Sequence, residues 1–212
     1  MYRFLLISFA IACLSIQWNS TPSSLNWRQV YYDMHPEFLR ENIRSIKEDQ
    51  LLSIPIDLQK KISASETVIL VDYRLPSDKK RLWVVKNKKI LVHCRVAHGK
   101  NSGETMATSF SNQPESNKSC LGEFITGKIY IGEKGLAMRL HGIEKGVNDS
   151  AYERGIVFHS GNYVSTNFLL INGRIGRSFG CFVTTPFDNY RILTLCRNGA
   201  RLFVSGHQQI KF

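Results

Sequence analysis

The chain has 212 residues, enough for one domain of ordinary size and a short extension. Hydrophobic residues make up 43% and aromatics 11%, which supports a sizeable core and excludes a wholly disordered chain. The formal charge is +11, but the basic residues are scattered, so no nucleic-acid-binding arm is indicated. An evenly positive surface suits a diffuse anionic partner such as a cell wall, a membrane surface or an acidic peptide, and equally a basic surface with no partner.

In chain order, residues 1–15 read as a signal peptide. Arg3 precedes a nearly wholly apolar run over 4–14. A bilayer span needs about 20 residues, whereas the apolar part of a secretory signal needs about 7–15. Ala10-Ile11-Ala12 has the form of a cleavage site. With Cys13 the same stretch reads as a lipobox whose cysteine is lipidated, although Ala10 stands where Leu is usual. Export to the periplasm or cell envelope is expected in either case, and no later segment is apolar long enough to span a membrane. Residues 16–65 read as a linker and an N-terminal helix over about 37–52, with Leu39, Ile43 and Ile46 on one face and Pro55 ending the region.

The main domain covers 66–206, with a short tail at 207–212. Strands are expected at 67–73, 81–85 and 89–96, the last two joined by a hairpin turn at Lys86-Asn87-Lys88. A long loop over 99–122 precedes strands at 122–126, 128–131, 137–140 and 156–159, and a final strand at 201–204. One late helix is expected, with Thr185 as cap, Pro186 at its first position, Asp188 completing a box-like pattern and Gly199 beyond its end. The fold class is therefore mainly β, a sandwich or barrel with an N-terminal helical segment and one late helix.

Five cysteines are present. Cys94 and Cys120 could pair in an exported protein, or be two buried free thiols. There is no CxxC pair and no metal-like spacing of Cys and His, so no zinc site is expected. The Gly-rich stretch at 173–180 is neither GxGxxG nor a P-loop, so nucleotide binding is not expected.

Two stretches carry chemistry. One is a strand ending in His159-Ser160-Gly161. The other is a turn, Gly176-Arg177-Ser178-Phe179-Gly180-Cys181. A thiol becomes a good nucleophile when an imidazole accepts its proton. Gly180 allows a sharp turn in which successive N–H groups face one point, as an oxyanion requires. Ser178 is placed to hydrogen-bond near the thiol. Residue chemistry alone leaves a structural cysteine and a satisfied core histidine as the alternative.

His159, Ser178, Gly180 and Cys181 fill the His…Ser-x-Gly-Cys signature, and the chain resembles the L,D-transpeptidase catalytic domain family, in particular its murein L,D-transpeptidase branch. Val96-Ala97-His98-Gly99, Leu121-Gly122-Glu123-Phe124, Leu140-His141-Gly142-Ile143-Glu144-Lys145-Gly146 and Arg154-Gly155-Ile156-Val157-Phe158-His159 are similar to that branch as well. Phe179 stands where many members have His, and Phe182-Val183 replaces the usual pair after the cysteine. The resemblance implies a Cys181 nucleophile, a His159 base, and Ser178 and Gly180 shaping the catalytic turn. It also implies peptidoglycan stem peptides as substrate, no metal and no cofactor. Arg177 is the candidate for the substrate carboxylate, and His141, Gly142 and Ser160 are further candidate substrate contacts. His98, Asn148 and Arg154 are expected to be structural. A 3→3 cross-linking transpeptidase is expected, with a muropeptide hydrolase or a non-catalytic wall-binding module as alternatives.

Overall fold

The computed structural model of the protein describes residues 48–207. The expected signal segment, Cys13, the linker, the first part of the N-terminal helix and most of the tail lie outside the described residues. The last described part of the expected helix is a 3-10 helix, Glu48–Ser53. A one-turn helix follows behind Pro55, α1 (Ile56–Gln59).

Eight strands come next: β1 (Val68–Asp72), β2 (Leu82–Lys86), β3 (Lys89–Cys94), β4 (Gly122–Gly132), β5 (Gly135–Gly142), β6 (Val157–Ser160), β7 (Phe182–Thr184) and β8 (Arg201–Ser205). Helix α2 (Thr166–Asn172) lies between β6 and β7, and α3 (Pro186–Cys196) between β7 and β8. The strands form one mixed sheet in the order β3-β2-β1-β8-β4-β5-β6-β7. The β1–β8 and β6–β7 pairs are parallel. Just past β3, the Ala97 N–H donates to the Val183 carbonyl of β7 at 2.8 Å, and the two residues form an antiparallel bridge. The outer edges of the sheet thus meet, and the sheet rolls nearly into a barrel, which removes exposed strand edges. The architecture is mainly β, as the sequence indicates.

The local reasons are legible residue by residue. β1 is buried at all five positions, the pattern of a strand covered on both faces. Ile69 and Val71 face the barrel interior with Phe158 and Phe182, while Val68 and Leu70 lie under Ile54 and Leu58. Asn87 and Lys88 both have positive φ, 50° and 57°, the mirror-image turn that matches the twist of a hairpin. Thr185 Oγ1 accepts from the Asp188 N–H at 3.2 Å and donates to its carboxylate at 2.7 Å, so α3 starts at Pro186. The two strands expected at 122–126 and 128–131 are one strand, β4. Its register shifts between Thr126 and Ile129, where a bulge absorbs the break in alternation.

A buried polar group fixes the segment that closes the barrel. Arg81 is fully buried. Its guanidinium donates to Val96 O at 3.1 and 2.8 Å, to Leu75 O at 2.8 Å and to His98 Nδ1 at 2.7 Å. Because Nδ1 accepts, Nε2 carries the proton, and it donates to Gly103 O at 3.2 Å. Burial, and then the Arg81 charge, push the His98 pKa down to about 4. The unfolded chain therefore binds this proton first. Stability contributed by neutral His98 should fall as pH drops from about 6.5 through about 4, by about 3 kcal/mol in all. Urea unfolding of the parent protein and of His98→Gln at pH 7, 5.5 and 4 checks this: the fall should be larger in the parent by roughly that amount.

Candidate active site

Residues 176–181 form a turn that enters β7 from the closing seam. The Ser178 N–H donates to His98 O at 2.9 Å, and the Lys100 N–H donates to Ser178 O at 2.7 Å. The Ser178 hydroxyl donates to Cys181 O at 2.7 Å and accepts the Gly180 N–H at 3.1 Å. Ser178 is thus the internal tie of the turn rather than a free hydroxyl. The same bond occupies the Gly180 N–H, which is therefore not available to an oxyanion. Gly180 has φ +123°, and a Cβ there would lie 2.8 Å from Ile156 Cδ1 and 2.9 Å from Lys118 O. Both facts require glycine.

The parallel register of β6 and β7 pairs Phe158 with Phe182 and His159 with Val183. Phe158 and Phe182 point into the barrel. Alternation therefore puts Val157, His159 and Val183 on the opposite face. Continued one residue back, the register sets Cys181 beside Val157 on that face. Cys181 and His159 thus stand on neighbouring strands, about 6.6 Å apart along the strand direction. Among the described residues, each side chain bonds to a carbonyl rather than to the other. The Cys181 thiol faces Gly155 O at 3.6 Å, and His159 Nδ1 donates to Ser160 O at 2.9 Å. The latter bond leaves Nε2 of neutral His159 as the proton acceptor.

Both groups are held neutral at rest. Burial pushes the Cys181 thiol up, opposed by the nearby Val157 N–H and the Arg154 guanidinium. Burial pushes the His159 imidazole down; its bond to Ser160 opposes this and Lys134 adds to it. His159 lines a cavity of about 320 Å³ with Tyr130, Gly132, Glu133, Lys134, Ala137 and Val157. The described lining does not include Cys181. Tyr163 packs against the same small cluster as Cys181; burial, and then the sulfur, raise its phenol to about 12.

The remaining candidate contacts have the following partners. Arg177 donates to Glu104 Oε1 at 2.6 Å and to Lys100 O and Gly103 O at 3.1 Å each, so its guanidinium is engaged in the 99–104 loop. His141 is exposed on β5 and stacks on Tyr152 with 4.7 Å between ring centroids. Gly142 ends β5 against the Asn148 backbone, where an added Cβ would collide with Asn148 O. The Ser160 hydroxyl reaches Lys134 O at 3.5 Å. Among the described residues, no group of His, Cys, Asp and Glu could hold a metal ion. Cys94, Cys120, Cys181 and Cys196 are free thiols.

Arg154 has a larger part at the site than the sequence indicates. It donates to Ser111 O and Lys118 O at 2.7 Å each, to Ser116 Oγ at 3.2 Å and to Cys120 Sγ at 3.5 Å. One guanidinium thus pins the long loop against the Gly180 turn and brings positive charge near Cys181. The signal was its place just before the β6 strand, which by itself does not show which loop it reaches.

The sequence matches the family model described as L,D-transpeptidase catalytic domain over residues 42–205. The chain belongs to this L,D-transpeptidase catalytic domain family. A search of the curated proteins finds no significant match. Among solved structures, similarity extends to an L,D-transpeptidase from Xylanimonas cellulosilytica, at 16% identity and TM-score 0.40 over 68% of this chain and 62% of that one. It extends also to an L,D-transpeptidase from Mycobacterium smegmatis, at 13% identity and TM-score 0.42 over 67% and 59%. The helical cell shape determining protein of Campylobacter jejuni matches at 12% identity and TM-score 0.44 over 78% and 57%. The matched part is thus less than two thirds of each of those chains. Among the described residues, no helix is long and apolar enough to cross a membrane.

The electrostatics give a direct expectation. Iodoacetamide alkylation of Cys181, followed by mass mapping, should have its midpoint above the ordinary thiol value of about 8.5. In Arg154→Met the midpoint should move higher, because the opposing charge is gone. A midpoint near neutrality in the parent protein would contradict the resting state described above.

Proposed function

We propose that this chain is an exported cysteine acyltransferase that forms 3→3 cross-links between peptidoglycan stem peptides through a Cys181 thioester. The observation that carries the reading is the β6–β7 register. It supports a thiol and an imidazole on one sheet face, in a chain whose family acts on peptidoglycan.

The chemistry follows from the groups in place. His159 Nε2 takes the Cys181 proton as the sulfur attacks the carbonyl joining the third residue of a stem tetrapeptide to its terminal D-alanine. The Ser160 carbonyl steadies the imidazolium through Nδ1. Backbone N–H groups of the turn hold the oxyanion, that of Cys181 among them; losing one such donor typically costs about 10²–10³ in rate. The proton on Nε2 passes to the leaving D-alanine nitrogen, the C–N bond breaks and the thioester remains. A side-chain amine of a neighbouring stem, relieved of a proton by His159, then attacks the thioester. The new amide forms and the thiol returns. Water in place of the amine gives a tripeptide and makes the protein a carboxypeptidase.

A resting pair held neutral suits this sequence. Proton transfer accompanies attack, so substrate has to displace the Gly155 carbonyl from the thiol before reaction. Ser178 supports the geometry by tying Cys181 O to the Gly180 N–H, and Arg177 by fastening the loop beside the turn.

Incubation of the purified protein with tetrapeptide muropeptides tests the proposal. Cross-linked dimers should appear by mass spectrometry, and Cys181→Ala should form none. His159→Gln should slow conversion by about 10²–10⁴, the usual worth of a positioned base. Tripeptide alone would replace cross-linking with carboxypeptidase activity. Conversion that survives in Cys181→Ala would remove the thiol from the mechanism.

A further inference from the structure

The face that carries Cys181 and His159 continues across β6 onto β5 and β4. Met138 pairs with Phe158 and Arg139 with Val157. Met138 and Phe158 point into the barrel, so Arg139 and Val157 point out on the same side as Cys181. Arg139, Val157 and Cys181 therefore form one row across three strands. Adjacent strands are about 4.8 Å apart, which sets the Arg139 and Cys181 backbones about 10 Å from one another.

The Arg139 side chain is packed between aromatic rings. Its guanidinium carbon lies 4.5 Å from the Tyr130 ring centroid and 5.6 Å from that of Tyr152. His141 stacks on Tyr152 from its own side, with rings only 13° from parallel. Stacking occupies the faces of a guanidinium and leaves its in-plane N–H donors at the edge. Among the described residues, no carboxylate lies within ion-pair distance of Arg139, and none accepts a hydrogen bond from it. Arginines nearer the turn are engaged: Arg177 and Arg174 face Glu104, and Arg154 is bound to carbonyls. Tyr130 and Val157, the ring beside Arg139 and its cross-strand partner, also line the cavity that holds His159.

Resting on the reading of Cys181 as nucleophile, we infer that Arg139, braced by Tyr130 and Tyr152, is a carboxylate-binding subsite for the peptide upstream of the bond being cleaved. A flat, orientated guanidinium with free edge donors matches a carboxylate two bonds at a time. Distance selects which carboxylate. The α-carboxylate of the leaving residue lies about 4 Å from the attacked carbonyl, one residue along. The Arg139 guanidinium packs on Tyr130 of β4, on the side of β5 away from Cys181, so that carboxylate falls short of it when the carbonyl sits at Cys181. A carboxylate on the donor side, carried by a side chain or by a branched peptide linkage, spans the gap over Val157.

Binding titrations on Cys181→Ala protein decide this without turnover. The probes are tetrapeptides in which each carboxylate upstream of the scissile bond is amidated in turn. One amidation should weaken binding about tenfold or more. Adding Arg139→Met should abolish that difference while leaving the affinity for the amidated peptide unaltered. Arg139→Lys should restore less than half of the lost discrimination, because a point charge lacks the edge geometry. Thermal melting of each variant separates a folding defect from a binding one. Equal weakening of every peptide by Arg139→Met, no weakening of any, or no binding at all would overturn the subsite. Failure of the parent protein to convert muropeptides, with this discrimination intact, would sink acyl transfer and leave the subsite standing.

Discussion

The barrel closes at one short seam, and the reactive turn is part of it. Ala97 pairs with Val183, His98 O accepts the Ser178 N–H, and Ser178 O accepts the Lys100 N–H. These few bonds join the last strand of the sheet to the chain leaving the first edge strand. Without them β7 would be an exposed three-residue edge, too short to hold a register by itself. With them, Cys181 is fixed between a pinned turn and a paired strand. The seam in turn depends on Arg81, which holds Val96 O and His98 from inside the barrel. Burial pulls the Arg81 pKa down to about 10, so the guanidinium is still charged at neutral pH. A buried cation with its donors matched to carbonyls is costly to form and costlier to disturb. That asymmetry makes the seam specific.

Thiol and imidazole are positioned by different means. His159 is set by strand pairing, and its tautomer by a carbonyl one residue on. The sulfur is set by the turn, and its protonation by burial and by Gly155 O. Neither group is charged at rest, so the site does not rely on a standing ion pair. Arg154 and the Val157 N–H offset part of the desolvation cost of a thiolate. One belongs to the neighbouring strand, the other to the guanidinium that pins the 111–120 loop. Loop order and thiol acidity are therefore linked through one side chain.

Much of this frame is legible from the sequence, and the exceptions have physical reasons. Val68–Asp72 and the Asn87-Lys88 turn read clearly because local pattern and tertiary role agree. The Thr185-Pro186-Asp188 helix start reads clearly for the same reason. β7 does not, because three buried residues have no alternation to detect. Helix α2 is missed although Ser165 accepts from the Phe168 N–H and Gly173 closes it at φ 69°. Its apolar run, Phe168 to Ile171, is continuous rather than periodic. The strand break expected at Gly127 is a bulge, since β5 pairs with β4 on both sides of the register shift. At the site, the residue types that carry chemistry are readable, but their bonds are not. Ser178 is expected to hydrogen-bond near the thiol, and its hydroxyl ties Cys181 O to the Gly180 N–H. Gly142 looks like a pocket residue and is a point of close approach to Asn148.

Arginine shows the same division most clearly. Arg177 lies next to the motif, which makes it the natural candidate for an anionic substrate, yet Glu104 occupies it. Arg139 lies far from the motif in sequence, and nothing around it in the chain marks it out. Only the antiparallel register of β5 with β6 puts it in the Cys181 row, and only the folded positions of Tyr130 and Tyr152 set it between aromatic rings. The bond from Arg177 to Glu104 joins positions far apart in the chain and fastens the 99–104 loop to the turn. A charge left unpaired between aromatic rings on an open sheet face is a different case. The fold holds its orientation and leaves its hydrogen-bonding edge to something outside the chain.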